Sequence, residues 1–166
     1  MVKAKYLIFA GGIFAAAIIA FFLFSESEED RVKEQFEFIA EQVDKSQGEN
    51  QIIAAAKANR TKEVMIDPLK IHAPAYSISR DISSNEVSTF FLSTRSQYSE
   101  ISLKFYDFTI AFPGGDTAQV TLTASMEGRS RGGESIQDHH ELACTLLKIQ
   151  DVWRFQEIEV VEVLRK

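Results

Sequence analysis

The chain has 166 residues, a formal net charge of −6, 45% hydrophobic residues and one cysteine. Acidic surfaces repel phosphates, which excludes nucleic-acid binding, and a lone thiol cannot close an internal disulfide, so packing must hold the fold. No nucleophile elbow, P-loop, dinucleotide fingerprint or zinc-protease helix motif occurs, so neither cofactor nor metal is expected.

Tyr6–Phe24 is apolar or Gly throughout. As a helix it would span about 30 Å, the hydrocarbon thickness of a bilayer, and lipid leaves backbone amides no other partner. Phe21-Phe22-Leu23-Phe24 leads straight into Ser25-Glu26-Ser27-Glu28, with no small-residue cleavage site, so the stretch reads as an uncleaved signal anchor. Lys3 and Lys5 precede it and Glu26, Glu28, Glu29 and Asp30 follow. The positive-inside rule makes residues 1–5 a cytoplasmic tail, 6–24 a single-pass transmembrane helix and 25–166 an extracytoplasmic domain on a bacterial inner membrane. Gly12, Ala16 and Ala20 share one helix face and could let two such helices pack closely, although small residues are common in membrane helices anyway.

Ser25–Lys45 is expected as the first soluble helix, capped by Ser25-x-x-Glu28, with Val32, Phe36, Ile39 and Val43 on its buried face. After Ser46-Gln47-Gly48, Glu49–Arg60 forms a second helix, with Ile52, Ile53 and Ala56 inward. Val64, Ile66, Leu69 and Ile71, interrupted by Pro68 and Pro74, suggest a short edge strand or an irregular crossing. A third helix runs to about Gln97, capped by Ser84, with Val87, Phe90 and Phe91 inward.

From Ser99 the period becomes two. Ile101, Leu103, Phe105, Thr109 and Ala111 alternate with Ser102, Lys104, Tyr106, Phe108 and Ile110. Pro113-Gly114-Gly115-Asp116 turns the chain into a second strand, Ala118–Met126. Gly128–Glu134 is expected as a flexible loop. Strands Ser135–Ile149 and Val152–Val163 complete an antiparallel meander, with the turn at Gln150-Asp151.

Three helices followed by long antiparallel strands is an α+β plan, with helices packed on one face of a curved sheet. The block Leu142–Val163, with its penultimate strand, tight turn and Trp153-Arg154-Phe155 start, resembles the nuclear transport factor 2-like, cystatin-like α+β cone. That resemblance implies a cone-like domain. On a single anchor, similar domains serve bacterial envelope and secretion complexes, including VirB-type assembly factors. With the anchor, the absence of catalytic motifs and the small-residue face of the apolar stretch, the expected reading is a non-enzymatic domain that binds an envelope protein or a second copy of itself. The same superfamily includes isomerases and dehydratases, so the alternative is a cone pocket for a small molecule.

On the strand Ser135–Ile149, Asp138 and His140 share a face with Leu142, Cys144 and Leu146. In a cone pocket Asp138 would orient or accept a proton and His140 would serve as acid or base, with Tyr106 as a hydrogen-bond donor. The competing reading puts both in water beside the Gly128–Glu134 loop, as the adjacent His139 suggests. Asp138-His139-His140-Glu141 offers a metal at most two ligands per face, too few for a site. Cys144 is read as a buried inert thiol, His72 as a surface residue, and Trp153 and Phe155 as core.

Overall fold

The computed structural model describes residues 27–163. Among them no helix is long and apolar enough to cross a membrane. The stretch Tyr6–Phe24, with Gly12, Ala16 and Ala20, lies outside the described residues. The chain divides between Arg31 and Val32 into two units, and the second carries the whole sheet.

Helix α1 is Glu28–Val43. Its first turn is closed by Ser27, whose Oγ accepts from Asp30 N at 3.1 Å while Ser27 N donates to the Asp30 carboxylate at 3.3 Å. The cap is therefore Ser27-x-x-Asp30 instead of Ser25-x-x-Glu28, two residues on, where Glu28, Glu29 and Asp30 all meet the positive end of the helix dipole. Val32 and Phe36 are buried, and Ile39 packs on the core. The Phe36 ring stands edge-on to Phe105, Phe108 and Phe155, with centroids 5.4, 5.4 and 4.9 Å away. These four rings fill the middle of the domain.

Helix α2, Gln51–Arg60, is capped by Asn50, whose side chain accepts from Ile52 N at 2.8 Å. Its orientation reverses the sequence expectation. Ile52 and Ile53 are 77% and 50% exposed and Ala56 is exposed, while Ala58 is fully buried. The reason is close approach: Ser88 of helix α3, Ser84–Ser96, donates to the Ala58 carbonyl at 3.0 Å, and only a small side chain fits there. On α3 the cap is Ser83, one residue before the expected Ser84, in a complete capping box with Glu86. Val87 is buried as expected, but Phe90 is 67% exposed, and Ser88 and Arg95 face inward in its place.

Arg95 and Lys45 tie the helix ends together. The Arg95 guanidinium donates to the carbonyls of Gln42, Val43 and Asp44, the last turn of α1, and to the Glu49 carboxylate. Lys45 returns the arrangement, donating to the carbonyls of Arg95, in the last turn of α3, and of Tyr98, just past it. Each helix's orphan carbonyls are thus met by a cation from beside the other's C-terminus. Lys57 bonds Asp44 O and Glu49. Burial pushes the Glu49 carboxyl up, but the Arg95 and Lys57 hydrogen bonds and charges outweigh it and hold it below its ordinary range.

The sheet has six strands in the order β2-β1-β6-β5-β4-β3. They are β1 Met65–Ala73, β2 Ile78–Ile82, β3 Tyr98–Gly114, β4 Thr117–Ser130, β5 Ser135–Ile149 and β6 Val152–Val163. β3 to β6 form the expected antiparallel meander, and β1 joins β6 in parallel. So β1 is an interior strand and β2 the edge, which replaces the expected edge strand or irregular crossing. Pro68, lacking a donor, falls where the β1–β6 register shifts between Met65 and Lys70. Gly128–Glu134 is strand up to Ser130, with Gly128 and Arg129 pairing with Ile136 and Ser135, so the expected loop is shortened to Arg131–Glu134. A Cβ on Gly128 would meet the Glu100 carbonyl at 2.9 Å, so that position needs glycine. Register shifts in β3 and β6 curve the sheet. The domain is α+β, three helices on a curved six-stranded sheet in a cone-like arrangement.

Candidate functional site

β5 pairs with β4 without a slip, from Thr117↔Leu147 to Arg129↔Ser135. One face of this pair therefore runs unbroken along both strands. On β4 it carries Ala118, Val120, Leu122 and Ala124, all buried, then Met126. On β5 it carries Leu146 and Cys144, buried, then Leu142, His140, Asp138 and Ile136, partly open. The core side of the sheet thus changes along its length from sealed to accessible.

At the accessible end His140 Nε2 lies 2.9 Å from Asp138 Oδ2, the side chains 21% and 40% exposed. Spacing of two along a strand brings them together on one face. The other Asp138 oxygen accepts from His139 N at 3.1 Å, which fixes the carboxylate. His140 Nδ1 is buried and has no hydrogen-bond partner among the described residues. An ionised carboxylate only accepts, so it selects the tautomer with the proton on Nε2 and leaves a lone pair on Nδ1. A ring held this way by an acid can take a proton from a bound molecule.

Tyr106 is not part of this arrangement. It pairs with Thr123 on the opposite face, and its hydroxyl meets His139 Nδ1 at 3.1 Å. Alternation with Phe105 puts it there; just after it comes a bulge, where Asp107 sits at φ +57° and one extra residue is accommodated between Tyr106 and Thr109. Beyond it, Phe108 and Ile110 join Phe105 on the core side, while Thr109 and Ala111 are exposed. Alternation carried straight through Asp107 would put them the other way round.

Nearer the β4–β5 turn, an open groove of about 540 Å³ is lined by Lys45, Ser46, Gln47, Ile101, Gly128 and Ser135, among others, and by neither Asp138 nor His140. Gly128 lies two residues along β4 from Met126, the partner of Asp138. Burial lowers the Lys45 ammonium pKa, helped by the nearby Arg131 and Arg95 charges and opposed by Glu49. The sequence reading missed Lys45, Ser46 and Gln47 as rim residues. Their signal was the Ser46-Gln47-Gly48 stop, which returns the chain across the open end.

The remaining candidates take structural places. Burial pushes the Cys144 thiol up to about 12, which leaves it inert as a nucleophile. Trp153 and Phe155 are core residues, 1% and 2% exposed. His72 is partly exposed, bonded to Ser79 at 3.0 Å and near Glu157 at 3.4 Å. Among the described residues no three His, Cys, Asp or Glu side chains converge as metal ligands.

No family model matches the sequence, and a search of the curated proteins finds no relative. Solved structures do match the fold. The Kfla4162 protein of Kribbella flavida superposes with a TM-score of 0.67 at 12% identity, over 83% of this chain and 93% of its own. A candidate aromatic ring hydroxylase of Novosphingobium aromaticivorans gives 0.68 at 13%, over 86% and 94%. A candidate scytalone dehydratase of the same organism gives 0.65 at 11%, over 83% and 85%. At such identities the likeness is one of architecture: the domain has the nuclear transport factor 2-like cone fold.

Proposed function

We propose that the open end of the cone binds a small organic molecule, and that the Asp138–His140 pair moves a proton to or from it. The observation that carries this is the 2.9 Å contact between Asp138 and His140 together with the buried, unpartnered Nδ1 of His140. Asp138 orients the ring and balances the charge it would gain, and His140 Nδ1 is the acid or base. A groove of about 540 Å³ near the β4–β5 turn, lined in part by Gly128 and Ser135, falls within the size range of ligand sites, about 300–1,000 Å³. The hydroxylase-like and dehydratase-like cones among the fold neighbours make this reading a better fit than a purely structural one. A thermal-shift screen of small molecules tests it. Compounds that stabilise the wild-type chain should fail to stabilise the Asp138→Ala/His140→Ala variant. Equal stabilisation of both would reject the dyad as the site.

One observation favours a second reading, an envelope-assembly domain binding another protein or itself. Phe36, Phe105, Phe108 and Phe155 fill the middle of the cone and confine any ligand to its open end. In either reading we propose that Tyr6–Phe24 spans the bacterial inner membrane and holds the domain outside the cytoplasm. Protease protection in right-side-out and inverted vesicles distinguishes that orientation from its opposite.

A further inference from the structure

The face of the sheet turned away from the core carries a second polar arrangement, separate from the Asp138–His140 pair. On β1, Leu69 and Ala73 are buried and Ile71 packs on the core, as does its β6 partner Ile158. Alternation therefore turns His72 and its partner Glu159 to the outer face. Glu157 joins them through an irregularity. Phe155 is a core residue, and strict alternation would put Glu157 on its face. The β5–β6 register slips by one residue between the two, so Glu157 emerges on the face of Glu159.

On β2 the cross-strand partner of His72 is Ser79. Its Oγ lies 3.0 Å from His72 Nδ1, while His72 Nε2 lies 3.4 Å from Glu157 Oε1. A hydroxyl, an imidazole and a carboxylate thus follow one another across three adjacent strands, β2, β1 and β6. A carboxylate beside Nε2 favours the tautomer with its proton there, which leaves the Nδ1 lone pair to accept the Ser79 hydroxyl. That is the relation of a nucleophile to its base, and of the base to the acid that orients it. The three residues line an open cavity of about 490 Å³ together with Pro74, Ser77 and Glu159. Because β2 is the edge of the sheet, alternate N–H groups along it have no neighbouring strand and can face an oxyanion.

We propose that Ser79, His72 and Glu157 hydrolyse small esters and thioesters through an acyl-serine. Ser79 Oγ attacks the carbonyl carbon while its proton passes to His72 Nδ1. The bond to the leaving alcohol or thiol breaks, the leaving group takes that proton, and the acyl group stays on Ser79. A water then adds to the acyl carbon, giving its proton to the same nitrogen. The carboxylic acid departs as the proton returns to Ser79. Glu157 orients the ring and balances the charge it gains in each half. With Glu159 it also makes the cavity acidic, so neutral and cationic substrates are taken over anionic ones.

The test uses the full chain. A fluorescent alkyl fluorophosphonate, which loses fluoride to a base-activated serine, should label the wild type, with peptide mapping placing the adduct on Ser79. Ser79→Ala should abolish the label, and His72→Gln should slow it about a hundredfold. Glu157→Ala should slow it as well, with Glu157→Asp restoring part of the rate. Thermal midpoints should match the wild type in every variant, so that a lost label reports chemistry and not unfolding. Acetylthiocholine hydrolysis, read from the released thiol, should vanish in Ser79→Ala and run about tenfold faster than that of anionic acetylthioglycolate at low salt. An unlabelled wild type, a label that persists in Ser79→Ala, or a rate undiminished by His72→Gln or Glu157→Ala would overturn the proposal.

Discussion

The two halves of one sheet face follow different rules although a single pair of strands builds both. Toward the hairpin turns Leu146, Cys144, Val120 and Ala118 are sealed, and Phe36 closes over them with Phe105, Phe108 and Phe155. Toward the other end the same face presents His140 and Asp138, partly open. The first half has its polar groups excluded and its rings interlocked. The second keeps a buried ring nitrogen without a partner, which costs stability unless something meets it. One half stabilises the fold, and the other holds a polar arrangement that stability alone does not explain.

Substitutions should separate the halves by size of effect. Phe36→Ala removes a ring that touches three others and should cost about 3–5 kcal/mol, read from the denaturant midpoint. His140→Ala should cost under about 1 kcal/mol in the same ligand-free measurement; a loss as large as that of Phe36→Ala would make His140 a core residue. Arg95→Ala should come next, at about 2–3 kcal/mol, because it strands the Gln42, Val43 and Asp44 carbonyls and leaves Glu49 buried without its main partner.

Glu49 adds a pH dependence to the helix side. Its folded carboxyl lies below the ordinary value, so its contribution is fully present above the unfolded pKa, about 4.3, and is lost as pH falls through the folded one. Unfolding followed from neutral pH downward should show that decline, flattened in Glu49→Gln. The smallest effect belongs to the β5–β6 turn, where Gln150 and Asp151 both sit at positive φ, +51° and +65°. Gln150→Gly removes that strain and should stabilise by about 0.4–1 kcal/mol in the same unfolding measurement, without touching the dyad.

Much of the sheet was legible because β4, β5 and β6 alternate cleanly and are joined by short turns. That alternation also placed Asp138 and His140 on the face of Leu142 and Cys144. It could not say where the core ends along that face, since burial there depends on α1 lying across the sheet. Phe108 and Ile110 exchanged faces with Thr109 and Ala111 because the bulge at Asp107 has no glycine to announce it, whereas alternation with Phe105 already set Tyr106 on the face away from the dyad. β1 was read as an edge because its parallel pairing with β6 joins residues far apart in sequence, and Pro68 looked like a reason against an interior strand. α2 was turned the wrong way because its Ile pair looks like a core face, whereas the close contact at Ser88 admits only Ala58. The first cap slipped by two residues because Ser25 and Ser27 each have an acid three residues on.

If Asp138 holds His140 so that Nδ1 meets a bound molecule as acid or base, the ring nitrogens of His140 will report it. Nitrogen-15 NMR of the histidine-labelled chain, assigned with His140→Gln, reads which nitrogen carries the proton. The proton should sit on Nε2 with Nδ1 bare, and the Nδ1 resonance should shift when a stabilising compound from the screen is added. A proton on Nδ1, or a His140 ring unmoved by a compound that binds the cone, would contradict it.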